Sequence, residues 1–367
     1  MSEYQYYEWQ TIDRPLTDED QAAVNRLSSH IDVTSTRAVV TYSWGNFKHD
    51  PQEVLARYFD AFLYLANWGS PRLMFRFPKG LVDWQQVKPY CLEDYITLEE
   101  WGEYAILDIQ LNEEGGGDWV EGEGWLSSLA RLRDDILQGD YRALYLAWLG
   151  AVTLGLVDDE EREPPVPPGL ADLSAPLSTC ARFFRVDKHL LPVAAQASSD
   201  RQVVPEALLR QAIAQLPPEE RDAFLLRLLA GEPQLTVALK RRLQALAGLP
   251  QTVGESQRTA GQLLAARDEE DERERIRQAQ AAAERHRQEM EALAQREAQV
   301  WQEVDTLIQT YQPKSYDRAV ELLDNLRELA VYKGDQADFQ ERLSQIRVQY
   351  QRKSGLMDRL RQKGLIP

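Results

Sequence analysis

The chain has 367 residues, with 42 basic and 59 acidic side chains and a formal net charge of −17. Its hydrophobic content of 43% is enough for folded cores and excludes a wholly disordered chain. The two cysteines, Cys91 and Cys180, exclude a disulfide scaffold and a four-cysteine zinc site.

Neither the N-terminus nor any apolar run indicates a membrane or secreted protein. The first ten residues, MSEYQYYEWQ, lack the basic and apolar regions of a signal peptide. The longest uncharged run, residues 143–157, is shorter than the roughly 20 residues that a bilayer span requires. We therefore expect a buried helix there, no membrane contact, and a cytoplasmic protein with reduced thiols.

Charge and tryptophan are unevenly distributed, which indicates two physically different parts. Residues 1–165 contain 30 acidic and 13 basic side chains, whereas the remainder contains 29 of each. Eight of the nine tryptophans also lie in the first part. Because an acidic surface repels phosphate backbones, nucleic-acid binding by this part is not expected.

The first 157 residues predict an acidic α+β sheet domain that ends in a helix pair. Alternating or β-rich segments predict strands. Capping residues and apolar spacings of three or four predict helices between and after them. The predicted strands are 4–12, 34–44, 61–66, 72–77, 94–97 and 104–111, and the predicted helices are 17–29, 50–59, 125–138 and 140–152.

An acidic, proline-rich linker is predicted at 158–169 (DDEEREPPVPPG), since four prolines cannot extend a helix. A helical bundle is predicted over 170–250, with no convincing strand. Within it, Phe224, Leu225, Leu228 and Leu229 form a wide apolar stripe. The predicted helices are 175–185, 188–198, 205–216, 219–230 and 234–247.

A long charged helix with a coiled-coil seam is predicted over 255–311. Residues 262–311 contain no proline and no glycine. Apolar residues in its second half repeat every 3.5 residues on average, which is the coiled-coil period. This set, called the predicted seam, is the interaction candidate and pairs with a helix of the same chain or of a partner: Met290, Ala294, Ala298, Trp301, Val304, Ile308 and Tyr311.

A C-terminal helical hairpin with a basic tail is predicted over 315–367. Helices at 315–332 and 335–350 flank Gly334 and carry facing apolar positions. The end of the chain, residues 347–363, holds six basic residues and the single acid Asp358. Nucleic-acid contact is conceivable only through this tail.

The C-terminal segments YDRAVELLDNLRELA, FQERL and RKSGLMDRLRQKGL resemble the C-terminal module of an uncharacterised bacterial protein family. Some members with a similar module carry a SWIM-type zinc finger. That finger requires a Cys-x-Cys pair followed by Cys-x-His, and this sequence has no Cys-x-Cys. The resemblance therefore implies neither zinc nor a nucleic-acid role here.

No motif identifies a reaction, so we assign no catalytic, cofactor-binding or metal-binding residue and expect no cofactor. The glycine-rich loop 112–124 fits no phosphate-binding spacing and carries five carboxylates. We expect a non-catalytic protein–protein interaction or scaffold protein of a bacterial cytoplasmic complex, acting through the long helix by binding other proteins or itself. The alternative is an enzyme or metal-binding protein with a carboxylate site near Asp94–Asp118.

Overall fold

The computed structural model describes residues 4–67, 71–111, 121–200, 206–232, 234–247 and 258–367. The chain forms an N-terminal α+β sheet region followed by many helices, and this confirms the predicted fold class. The chain divides into two compact units, Met1–Asp271 and Glu272–Pro367. That division lies inside a helix, Ala260–Gln295, and not at the predicted linker 158–169.

A seven-stranded sheet, antiparallel at every described pairing, organises the first unit in the order β2-β3-β1-β4-β5-β7-β6. The short strand β2 and the longer β6 are its edges. Five of the predicted strands are present, the predicted strand 94–97 overlaps β6 only at residues 96 and 97, and β2 was not predicted. The strands are β1 Gln5–Gln10, β2 Asp32–Val33, β3 Arg37–Tyr42, β4 Ala61–Ala66, β5 Arg72–Pro78, β6 Ile96–Trp101 and β7 Tyr104–Gln110.

Strand β1 has helices over both of its faces. Tyr7 and Trp9 belong to the core under α1 and α2, whereas Tyr6 belongs to the larger core formed with α4–α8. Because successive side chains alternate between faces, an interior strand covered on both sides buries nearly every residue. The helices are α1 Asp18–Asn25, α2 Pro51–Tyr58, α3 Trp84–Val87, α4 Trp125–Leu129, α5 Arg131–Leu137, α6 Arg142–Thr153, α7 Ala175–Phe183 and α8 Leu190–Ala195.

Helix α6 is the most deeply buried helix of the first unit. Every residue from Arg142 to Val152 is buried, which confirms the predicted buried helix. Gly150 permits its close approach to α7, since an added Cβ would lie 2.6 Å from the carbonyl oxygen of Phe184. Across the described residues, no helix combines the length and hydropathy that crossing a bilayer demands.

Two buried arginines, a buried aspartate and a half-buried aspartate form an ionic cluster at one end of strands β1, β4 and β5. The side chain of Arg133, which is fully buried, donates from Nη1 and Nη2 to Asp13 at 2.9 and 2.7 Å. Arg76 Nη2 donates to Asp60 Oδ1 at 2.7 Å. The other Asp60 oxygen accepts the backbone N–H groups of residues 12 and 13 at 2.6 and 2.9 Å. We call Asp13, Asp60, Arg76 and Arg133 the Asp–Arg cluster.

The predicted linker 158–169 lies within the first unit and is part of its folded structure, not a connection between separate domains. Glu163 is buried, receives a hydrogen bond from the Tyr145 hydroxyl, and is held by Arg258 at 2.7 and 2.8 Å. A short antiparallel bridge joins Arg162 to Thr259. A carboxylate can be buried when an arginine and a phenol bind it. The acidic composition of this segment therefore does not make it a solvent-exposed linker.

The predicted bundle over 170–250 is divided between two packing groups. Helices α7 and α8 join the large sheet core. Three later helices follow, α9 Glu206–Gln215, α10 Pro218–Leu229 and α11 Leu235–Leu246. Of these three, α9 and α11 form a small cluster around Ala212, Leu216 and Leu243, to which α10 contributes no residue.

The second unit contains a helical core built around the predicted hairpin. The predicted long helix is present as two helices, because the backbone of Arg296 leaves the helical conformation with φ −115° and ψ 15°. A last helix, α16, was not predicted. The helices are α12 Ala260–Gln295, which begins in the first unit, α13 Glu297–Gln309, α14 Pro313–Lys333, α15 Gln336–Tyr350 and α16 Ser354–Gln362.

Replacing Asp60 by Asn should destabilise the first unit strongly. Burial opposes ionisation of Asp60, but Arg76, Arg133 and two backbone N–H groups outweigh it and lower its pKa. The variant leaves buried guanidinium charge uncompensated, which costs about 3–5 kcal/mol of unfolding free energy. Urea denaturation at neutral pH measures this loss.

The stabilisation that Asp60 provides is expected to weaken at acidic pH, because its folded-state pKa is lowered. A depressed folded-state pKa contributes stability above the unfolded value of about 4, and that contribution is lost as pH falls through the folded value. The Asp60→Asn variant should therefore lose less stability than the wild type on acidification. Asp32→Asn, at an exposed position, is the control. Equal stability of the two variants would contradict the assigned role of Asp60.

Candidate protein-interaction surface

The predicted seam lies mostly inside the second unit, where it packs against helices of the same chain. Met290, Val304 and Ile308 are buried, and Ala294 and Trp301 are half-buried against the same core. Ala298 and Tyr311 are exposed. Leu293 and Val300, which are not members of the predicted seam, are buried in this core.

Helix α14 supplies much of the opposite wall of this core. Ala319 and Leu323 are fully buried in the same cluster as Val304 and Ile308. The Trp301 ring lies 5.9 Å from the Phe339 ring between centroids. The sequence did not decide whether the seam pairs with a helix of this chain or of a partner protein. In the structure it packs against helices of the same chain, so its buried members are not available to a partner.

Three of the six cations of the basic tail are paired with acids of the same unit. Arg359 is ion-paired with Asp317. Lys363 Nζ lies 2.9 Å from Asp324, which also receives Arg327. Arg361 lies 3.1 Å from Asp358. Arg359, Arg361 and Lys363 are thus paired with carboxylates, which reduces the charge available to a phosphate backbone.

Helix α10 presents leucines to solvent. Leu225, Leu226, Leu228 and Leu229 are 53%, 67%, 63% and 85% exposed, and α10 has no buried residue. Single exposed leucines are ordinary, but four contiguous ones on one short helix form an apolar patch of the kind that marks interaction sites. We call these four residues the leucine face.

Local sequence and two ion pairs fix the helix that carries this face. Pro218 occupies the first turn together with Glu219 and Glu220, where proline and acids are favoured. Glu220 receives Arg242 of α11 at 2.7 and 3.0 Å, and this hydrogen bonding lowers the pKa of Glu220. Arg227 is likewise paired with Glu232. The first pair joins α10 to α11, the second joins α10 to the residues that follow it, and the four leucines remain exposed.

Helix α11 attaches this segment to the sheet domain. Val237 is buried in the large core. Arg241 donates to the Leu137 carbonyl at 2.8 Å, and Gln234 donates to Asp13 of the Asp–Arg cluster at 2.6 Å. The leucine face therefore lies on α10, and the neighbouring helix α11 is packed into the folded core of the sheet domain. The stripe was visible in sequence as Phe224, Leu225, Leu228 and Leu229, but its exposure was not.

The carboxylates proposed for an enzymatic alternative do not converge in the described part of the chain. Asp108 is held by Arg72, and Glu100 is paired with Lys79 at 2.6 Å. Asp94 is exposed. Most of the acidic loop 112–124, through residue 120, lies outside the described residues. Among those described, no group of three or more His, Cys, Asp or Glu could hold a metal ion.

Comparison of the chain with protein-family models, with curated proteins and with solved structures gives no match.

Truncating a buried seam residue should destabilise the second unit, whereas changing an exposed one should not. Ile308→Ala removes apolar volume from a fully buried site and should cost about 2–5 kcal/mol of unfolding free energy. Ala298→Ser, on the same helix but exposed, should change it by less than about 0.5 kcal/mol. Chemical denaturation followed by circular dichroism measures both. Comparable effects of the two variants would contradict the intrachain packing.

Proposed function

We propose that this chain is a non-catalytic interaction protein of the bacterial cytoplasm and that a partner protein docks on the leucine face of α10. The exposure of four leucines on one helix is the observation that carries the proposal. Covering a leucine contributes roughly 1.5–3 kcal/mol, enough for several together to offset the cost of association. The free thiols Cys91 and Cys180 support a reducing compartment.

The leucine face favours a different protein over a second copy of this chain. A helix of 12 residues is only about 18 Å long. Two such helices side by side would cover far less than the ~800 Å² per partner of a standard stable interface. A partner with an apolar groove could cover the helix on both flanks of the leucine face and so bury more of it.

Charge at the N-terminal end of the helix defines the chemistry of that groove. Asp222 precedes Leu225, Leu226 and Leu229 by three, four and seven residues, so it lies on the same face. Asp222 is exposed, and the nearest cation, Arg221, lies 3.8 Å away and is also exposed. A partner groove with a basic residue at the end that receives Asp222 is the complementary surface.

Site-specific photo-crosslinking in living cells tests this surface. A photoreactive phenylalanine analogue replaces Leu229, the most exposed leucine. The matched control places it at Ala223, exposed on the same helix but outside the leucine face. We expect one dominant adduct from position 229 and not from 223, with the partner identified by mass spectrometry. The same adducts from both positions, or none from either, would overturn the proposal.

A second substitution separates docking from folding. Leu225→Asp, introduced beside the crosslinker, should abolish the adduct, because a partner would have to bury an unpaired carboxylate. The midpoint of thermal unfolding should stay unchanged, since Leu225 is more than half exposed in the folded chain. With purified partner, we expect at least about tenfold weaker binding, equivalent to ~1.4 kcal/mol. An undiminished affinity would count against the leucine face.

A further inference from the structure

A second surface feature, independent of the leucine face, is a cavity on the face of the sheet that packs against α1 and α2. Its volume is about 340 Å³, at the lower end of the range for small-molecule sites. Aromatic and apolar side chains form much of its wall, and polar groups come from strands β1 and β5 and from the loop before α2. Its lining includes Gln5, Asn46, Phe47, Pro51, Tyr64 and Arg72.

Gln5 holds the loop over this cavity. Its amide nitrogen donates to the Gly45 carbonyl at 2.7 Å and to Asn46 Oδ1 at 2.8 Å. Its amide oxygen accepts the hydroxyl groups of Tyr7 and Tyr64 at 2.8 and 3.1 Å. Gln5 is itself 1% exposed. The amide therefore fixes both the loop and the orientation of two aromatic rings, so the wall is preorganised.

Two hydrogen-bond donors at this cavity have no partner within the described residues. Arg72 donates from Nε and Nη2 to Asp108 at 2.9 and 2.5 Å, so the N–H groups of Nη1 remain as donors. Asn46 Oδ1 accepts from Gln5, so the amide nitrogen of Asn46 remains as a donor. An acceptor such as a carbonyl oxygen is the group that both donors would satisfy.

Charge decides between a neutral and an anionic ligand. The positive charge of Arg72 is already matched by Asp108 at 2.5 Å. Asp50, which caps α2, also acts electrostatically on Arg72. A ligand carboxylate would thus meet a site with no surplus positive charge, in a part of the chain with net charge −17 over residues 1–165.

From this geometry we propose that the cavity binds a small, planar, uncharged ring bearing a carbonyl acceptor, such as an aromatic amide. The ring packs against Phe47, Pro51 and Tyr64, and its carbonyl oxygen accepts from Arg72 Nη1 and from the Asn46 amide. Planar rings gain both apolar burial and favourable ring contacts in such a wall. One ring in a cavity of this size binds weakly, with a dissociation constant on the order of 1 mM.

Ligand-observed NMR on the full chain tests the proposed chemistry with four probes. Benzamide carries the ring and a neutral carbonyl, benzoate has the same shape with a negative charge, benzylamine carries a positive charge, and acetamide lacks the ring. We expect binding of benzamide, at least about tenfold weaker binding of benzoate and benzylamine, and none of acetamide. Tighter binding of either charged probe, or no binding of benzamide, would overturn the proposal.

An isosteric variant locates the binding. Asn46→Asp keeps the oxygen that Gln5 contacts but replaces the free amide donor by a carboxylate oxygen, so benzamide affinity should fall by at least about tenfold. Arg72→Lys keeps the charge beside Asp108 but removes the spare N–H of the fork, and the same loss is expected. Asn325→Asp, exposed in the second unit, is the matched control and should bind as the wild type does.

Folding is checked separately by the thermal midpoint and the near-ultraviolet circular dichroism of each variant. A folded Asn46→Asp or Arg72→Lys variant with wild-type affinity for benzamide would place the ligand elsewhere and refute the site. If one variant does not fold, the other decides the question, since the two residues lie on different elements, a loop and strand β5.

Discussion

The sheet domain depends on the Asp–Arg cluster, three of whose four residues are buried. Arg133 reaches from α5 to Asp13 beyond the end of β1, and its Nε also donates to the Arg76 carbonyl of β5 at 2.7 Å. Asp60, just before β4, joins Arg76 to the backbone of residues 12 and 13. Charges this far from water require partners with good geometry, so these contacts fix how three strands and one helix meet.

The cluster also bears on the candidate interaction surface. Gln234, at the start of α11, donates to Asp13, and α11 in turn holds α10 through Arg242 and Glu220. A continuous set of polar contacts thus runs from the sheet to the helix that carries the leucine face. Rigid support of this kind lowers the entropy that a docking partner must overcome.

Polar and apolar groups are distributed against their usual tendency in two places. Glu163 and three members of the Asp–Arg cluster, Asp60, Arg76 and Arg133, are buried, whereas the four leucines of α10 are exposed. Buried ionic groups in this chain are explained by their partners, since Glu163 receives Tyr145 and Arg258. The exposed leucines have no such explanation within the described chain, and for this reason they carry the proposed function.

Most of the secondary structure followed from the sequence alone, because caps and apolar periods are local properties. Five of the six predicted strands and nearly all predicted helices are present, including β4 at Ala61–Ala66 with the predicted limits, whereas the predicted strand 94–97 shares only two residues with β6. The short β2, the helices α3 and α16, and the break at Arg296 were missed. A break in a helix changes the phase of an apolar repeat, so the predicted seam included the exposed Ala298 and omitted the buried Leu293.

The sequence by itself determined the fold class, the uneven charge and the existence of two apolar helical stripes. Only the tertiary structure decided which stripe is covered, because burial depends on contacts between residues far apart in the chain. The seam beside Val304 and Ile308 is covered by α14, while Leu225, Leu226, Leu228 and Leu229 remain more than half exposed. The same nonlocal contacts brought the acidic segment at Glu163 into the core, which its composition could not indicate.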